Sequence, residues 1–137
     1  MKRAWLQQFT WVVVVETNRH LCSAKGALHK PTSDGYEPTR QLWESLRSAQ
    51  LTLGEATDLC RQCHQLAPFC NFNGNTFVAV IRQVISKLPL PPDQAAALRS
   101  LAGHTVAGTA TPEEQAAFKE LLDQIGESLG GDSPQQP

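Results

Sequence analysis

The feature that most constrains the fold is a series of apolar stripes at helical spacing, separated by capping residues and prolines. The clearest start is Thr52, which can form a capping box with Glu55 at the beginning of a helix expected from Leu53 to about Ala67. A second well-marked helix is expected over residues 112–129, because Thr111 can cap it and proline and acidic residues suit its first turn. These signals favour a mainly helical chain.

Three further helices are expected between and before these two. An apolar stripe predicts a helix from Thr39 to Gln50. A longer stripe over residues 77–88 predicts another, although its β-branched content leaves a strand open there. Pro92 is expected to begin a short helix that ends near Ala102, with Gly103 as its C-cap. The predicted fold class is mainly α, a small helical domain of four to five helices with an N-terminal apolar strand (or helix).

The apolar N-terminal segment, residues 1–16, fits two periodicities. Some of its apolar residues follow helical spacing, whereas the run Val12–Val15 favours a strand buried on both faces. We prefer a strand over residues 9–16. Such a strand needs neighbours, and it can pair only with residues 76–85 or with the sheet edge of another chain. We therefore expect a partner to cover this segment, through a surface formed by Trp5, Phe9, Trp11 and Val13.

The rest of the chain divides by composition. Residues 17–38 are rich in turn formers and are predicted to be a connector. Residues 39–129 are predicted to be the helical domain, and residues 130–137 a flexible polar tail without core side chains. At 137 residues, the chain is long enough for one domain with a real hydrophobic core.

A cysteine motif is the main chemical signal. Residues 60–64 read CRQCH, the spacing that attaches a c-type haem and that also suits metal-binding thiolates. On a helix, however, Cys60 and Cys63 fall on the stripe that faces the core. Because a free cysteine behaves as a small apolar residue, the favoured interpretation is that both thiols simply fill the core. This interpretation requires no cofactor.

Two cofactor alternatives stay open. A zinc site would use Cys60, Cys63 and His64, with Cys70 or a ligand from the connector as the fourth group. Haem c would need both thiols, His64 as axial ligand and an exported chain. A thiol-redox role is a variant of these, and it is not favoured because the two thiols lie away from the helix N-terminus.

Charge and targeting signals indicate which partners and which cellular compartment to expect. The net charge is −1, and the twelve Lys and Arg residues are scattered, so bulk charge indicates neither nucleic acid nor anionic lipid. The apolar stretch 4–15 is shorter than the roughly 20 residues that a transmembrane helix needs. It also lacks a clean signal-peptide cleavage site. We expect a cytoplasmic protein with reduced thiols.

The predicted function follows from these features. The sequence contains no Gly-rich nucleophile turn, paired carboxylate cluster or phosphate loop, so we do not expect an enzyme. We expect a non-enzymatic protein-interaction module or a small subunit of a larger assembly, with a protein partner or a second copy docking on the apolar N-terminal segment. The alternative is a zinc-stabilised helical module, and after it a c-type haem or thiol-redox protein.

Overall fold

The computed structural model describes residues 1–128, which form six helices and one short two-stranded sheet. The predicted mainly helical fold class is confirmed. The elements in chain order are β1 (Lys2–Arg3), α1 (Trp11–Ala24), α2 (Tyr36–Leu46), β2 (Leu51–Thr52), α3 (Leu53–Leu66), α4 (Asn73–Ser86), α5 (Pro92–Ala107) and α6 (Pro112–Ser128).

Three central helices, α3, α4 and α5, pack against one another and form the middle of the domain. Helix α1 packs on α4, α2 on α3, and α6 mainly on α5. Each helix buries apolar side chains in one shared core, for example Trp43 of α2, Leu98 of α5 and Ile125 of α6. Among the helices formed by residues 1–128, none combines the length and apolar character that a bilayer crossing requires.

The predicted strand over residues 9–16 is wrong, because this part of the chain begins helix α1. Thr10 caps the helix, and its hydroxyl oxygen accepts a hydrogen bond from the Val13 amide at 3.3 Å. The Glu44 carboxylate of α2 accepts another from the Trp11 amide at 3.0 Å. These two acceptors satisfy amides that the first helical turn leaves unpaired. Capping and tertiary packing therefore stabilise a helix here, although a β-branched run has a low intrinsic helix propensity.

Burial along α1 follows the helical period. Trp11, Val14, Asn18 and Cys22 are buried, whereas Val12 is 69% exposed. The stripe continues well into the predicted connector, so the connection between α1 and α2 is shorter than expected and covers residues 25–35. The only sheet in the described part of the chain pairs β1 with β2 in antiparallel register, and it joins the N-terminus to the start of α3.

Several other helix boundaries differ from the predicted ones. Helix α2 starts at Tyr36, three residues before the prediction, because the first turn of a helix tolerates Pro38. The segment 76–85 lies in α4 and is not a strand. Helix α5 continues past Gly103 to Ala107, and Gly108 at φ 79° is its C-cap. The predicted tail, residues 130–137, lies outside the described residues.

The buried stripe of α1 can be tested by two substitutions of the same type in the same helix. Val14 is fully enclosed and Val12 is exposed. We expect Val14→Ala to lower the free energy of unfolding by about 2 kcal/mol, because it removes two buried methyl groups and leaves a cavity. Val12→Ala should change it by less than about 0.5 kcal/mol. Urea unfolding monitored by circular dichroism measures both values, and equal effects would contradict the assigned register.

Candidate functional site

The predicted partner-binding residues lie mostly inside the chain's own core. Phe9 and Trp11 are buried, Trp5 is partly buried against the core, and Val13 stays 39% exposed. The Trp43 indole N–H donates a hydrogen bond to the Phe9 carbonyl at 2.7 Å. The premise that the chain cannot cover this segment itself is wrong for Phe9 and Trp11, which its own helices bury, and a protein partner at the segment stays a prediction.

Trp11 shows how closely the N-terminal segment packs against the rest of the chain. Its ring stacks on Phe69 with a centroid distance of 5.9 Å and an interplanar angle of 10°. Tyr36 meets the same ring edge-on at 5.5 Å and accepts the indole N–H on its hydroxyl at 3.0 Å. The Trp11 side chain thus contacts α2 and the α3–α4 loop from α1, and these contacts stabilise the fold.

The two motif cysteines, Cys60 and Cys63, are fully buried in the core. Burial raises the pKa of the Cys60 thiol well above 9.0, and it raises the pKa of the Cys63 thiol to about 12. Both groups are therefore protonated thiols at neutral pH. Buried, uncharged thiols pack as small apolar side chains. This arrangement favours the core-packing interpretation of the motif.

The other two predicted ligands lie in different surroundings. His64 donates from Nδ1 to the Val106 carbonyl at 2.9 Å, and its ring packs closely over Gly74. Cys70 is exposed in the α3–α4 loop. Within residues 1–128, no group of three His, Cys, Asp or Glu side chains is arranged to hold a metal ion. The structure thus does not bring Cys60, Cys63, His64 and Cys70 together, and the zinc and haem alternatives stay predictions.

A cavity of about 450 Å³ opens between α3, the end of α5 and α6. Its apolar wall includes Phe118 and Leu122 of α6. Its polar side chains are Asp58 and Arg61 of α3, Thr105 of α5, and Gln115 and Lys119 of α6. A second cavity of about 240 Å³ shares Gly54, Lys119 and Leu122 with the first and extends along α6 to Ile125 and Met1. We call the two cavities together the α3–α6 groove.

The groove exists because α6 is fixed at a small number of points. Phe118 and Ile125 are its buried anchors. On α3, Gly54 faces Leu122, and a Cβ there would make ordinary van der Waals contact with a Leu122 methyl carbon at 3.4 Å. Between these points the two helices do not close, and their facing surfaces remain open.

The start of α6 is held by a second capping box. The Glu114 amide donates to the Thr111 hydroxyl at 3.1 Å, and the Glu114 carboxylate accepts from the Thr111 amide at 2.9 Å. His104 of α5 donates to the other carboxylate oxygen at 2.6 Å. The backbone hydrogen bond from Thr111, followed by that from His104, lowers the pKa of Glu114 below its ordinary value of 4.5. These contacts join α6 to α5 at one end of the groove.

The charges in the groove differ in how far they are neutralised. Arg61 donates to the Thr105 carbonyl at 3.0 Å, where it favourably faces the C-terminal end of α5. Partial burial raises the pKa of Asp58, and the positive charge of Arg61 opposes this rise. Lys119 is exposed and has neither a hydrogen bond nor an ion pair within residues 1–128. The second cavity adds the Asp123 carboxylate, one turn from Lys119 on α6. The groove therefore combines an apolar wall with charges of both signs, and Lys119 is its cationic side chain without a hydrogen bond or an ion pair within residues 1–128.

Sequence reasoning missed this groove. It singled out neither Asp58 nor Lys119, and it noted Arg61 only as part of the cysteine motif. A usable local signal exists on α3, where Asp58 and Arg61 are one turn apart beside the small residue Gly54. Their relation to α6 depends on packing between segments more than 50 residues apart, which no local pattern contains.

Comparisons with protein-family models, with curated proteins and with solved structures found no match for this chain. Its function therefore has to be inferred from its own residues. The α3–α6 groove is a place where apolar surface and an unpaired charge meet in the described part of the chain.

The burial of the thiols can be tested with a thiol reagent such as dithionitrobenzoate. We expect Cys70 to react quickly in the folded protein and Cys22, Cys60 and Cys63 to react only on unfolding, because these three are buried and their pKa values are raised. Cys70→Ser should abolish the fast reaction, and Cys22→Ser should leave it intact. Two or more fast thiols would contradict this assignment.

Proposed function

We propose that this chain is a non-enzymatic protein-interaction module that receives a short segment of a protein partner in the α3–α6 groove. The observation that carries this proposal is that Lys119, which has no carboxylate partner within residues 1–128, lines the groove beside Phe118 and Leu122. A partner segment with an apolar side chain next to a carboxylate would match both features.

The apolar part of the groove supports affinity. Leu122 is only partly buried, so a partner side chain that covers it removes further apolar surface from water. The cavity volume of about 450 Å³ lies within the range of about 300–1,000 Å³ that is typical of ligand pockets. The groove is therefore wide enough for side chains of a docked peptide.

The charged part of the groove supports specificity. Arg61 is already bonded to the Thr105 carbonyl and lies near Asp58, so Lys119 is the cation that a partner carboxylate would meet. An exposed ion pair contributes only about 0.2–1 kcal/mol, and it contributes more to partner choice than to affinity. An acidic residue at the matching position is therefore preferred, and a basic one is disfavoured.

Selection of displayed random octapeptides on the folded protein tests the proposal. We expect the enriched peptides to place Asp or Glu beside an aliphatic or aromatic residue. The most enriched peptide is then synthesised, and its Kd is measured by fluorescence anisotropy. Lys119→Glu should weaken binding roughly fivefold to tenfold, because an attractive contact becomes a repulsive one.

The matched control is Lys30→Glu, which makes the same charge change at an exposed lysine outside the groove. It should leave the Kd unchanged. Equal weakening by both variants, or enriched peptides without a carboxylate, would contradict the proposal. Light scattering on the free protein provides a further check, since a dimer dissociated by Lys119→Glu would assign the groove to a second copy of the chain instead.

A further inference from the structure

A separate cleft of about 240 Å³ lies between the N-terminal segment and the end of α4. Its polar lining side chains are Arg3, Trp5, Gln7, Gln8 and Lys87, and no residue that lines it is acidic. Apolar side chains form the rest of its surface, among them Val84 of α4 and Leu88 of the α4–α5 loop. We call it the cationic cleft.

The two cations of the cleft are placed on aromatic rings. The Arg3 guanidinium carbon lies 5.1 Å from the centroid of the Trp5 ring, and the Lys87 ammonium lies 5.8 Å from that of Phe9. Lys87 also donates to the Gln8 side-chain carbonyl oxygen at 3.3 Å. Neither cation has a carboxylate partner within residues 1–128. Aromatic faces attract the two cations but do not neutralise them.

Trp5 supplies an independent sign of an incomplete site. Its indole N–H is buried and has no hydrogen-bond partner within the described residues. The indole N–H groups of Trp11 and Trp43, in contrast, donate to the Tyr36 hydroxyl and to the Phe9 carbonyl. A buried donor without an acceptor is uncommon in a native structure and requires an explanation. A ligand oxygen in the cleft could accept from this N–H only after the Trp5 ring turns, because the nitrogen is enclosed by protein atoms.

We propose that the cationic cleft binds a phosphate monoester carried on an apolar or aromatic group. A phosphate monoester carries a charge of about −1.5 to −2 at neutral pH, which matches two cations better than a single carboxylate does. The Arg3 guanidinium can bond two phosphate oxygens at once, and Lys87 adds a point charge. The apolar side chains of the cleft would contact the organic part of the ligand.

Titration of the nitrogen-15-labelled protein with phenyl phosphate tests this assignment. We expect a saturable shift of the Trp5 indole signal, while the signals of Trp11 and Trp43 stay in place because their N–H groups are bonded elsewhere. Trp5→Phe identifies the signal by its loss. The double variant R3Q/K87Q should weaken binding at least about tenfold, which corresponds to roughly 1.4 kcal/mol. If the double variant fails to fold, Lys87→Gln alone replaces it, and we expect this single variant to weaken binding by a smaller factor.

Controls separate a built site from general attraction to positive charge. The variant K25Q/R99Q removes the same charge outside the cleft and should leave the Kd for phenyl phosphate unchanged. Benzoate, with one negative charge, should bind several times more weakly. Shifts that spread over the surface without saturation, equal affinity for benzoate, or unchanged binding in R3Q/K87Q would overturn the proposal. These outcomes do not depend on whether the α3–α6 groove binds a peptide.

Discussion

One buried hydrogen bond, from the indole N–H of Trp43 to the carbonyl of Phe9, joins the N-terminal segment to α2. Trp43 is completely enclosed, and its ring packs against Phe77 of α4 with a centroid distance of 5.8 Å. Because Phe9 directly precedes the cap residue Thr10, this bond also fixes where α1 begins. A buried carbonyl without this partner would cost free energy comparable to a lost hydrogen bond, so the N-terminal segment, α2 and α4 are stabilised together.

This anchoring explains why the N-terminal segment takes part in both candidate binding surfaces. Pairing of β1 with β2 places the segment beside the start of α3, so that Met1 lines one end of the α3–α6 groove. Arg3 and Trp5 line the cationic cleft a few residues later. The segment predicted to be the docking element is thus a structural part of the domain, and the surfaces proposed for binding are built against it.

The features that could be predicted from the sequence are those determined by neighbouring residues, such as the starts of capped helices. Thr52 with Glu55, and Thr111 with the residues that follow it, marked the starts of α3 and α6 correctly, because capping depends on neighbouring residues. The run Val12–Val15 was misleading, since its local preference opposes packing that depends on distant α2 and α4. Gly103 was misleading for a similar reason, because its missing side chain accommodates Arg82 of α4 and does not end a helix. The groove depends entirely on such distant contacts.

Hydrogen exchange of the Trp43 indole N–H in the native state tests the central claim most directly. If Trp43 and Phe9 hold the domain together, this proton should exchange only through global unfolding, with a free energy of exchange equal to that of unfolding by urea. Exchange through a local opening with a much lower free energy would show that the N-terminal segment detaches while the remaining helices stay folded. That result would contradict the structural role assigned to this bond.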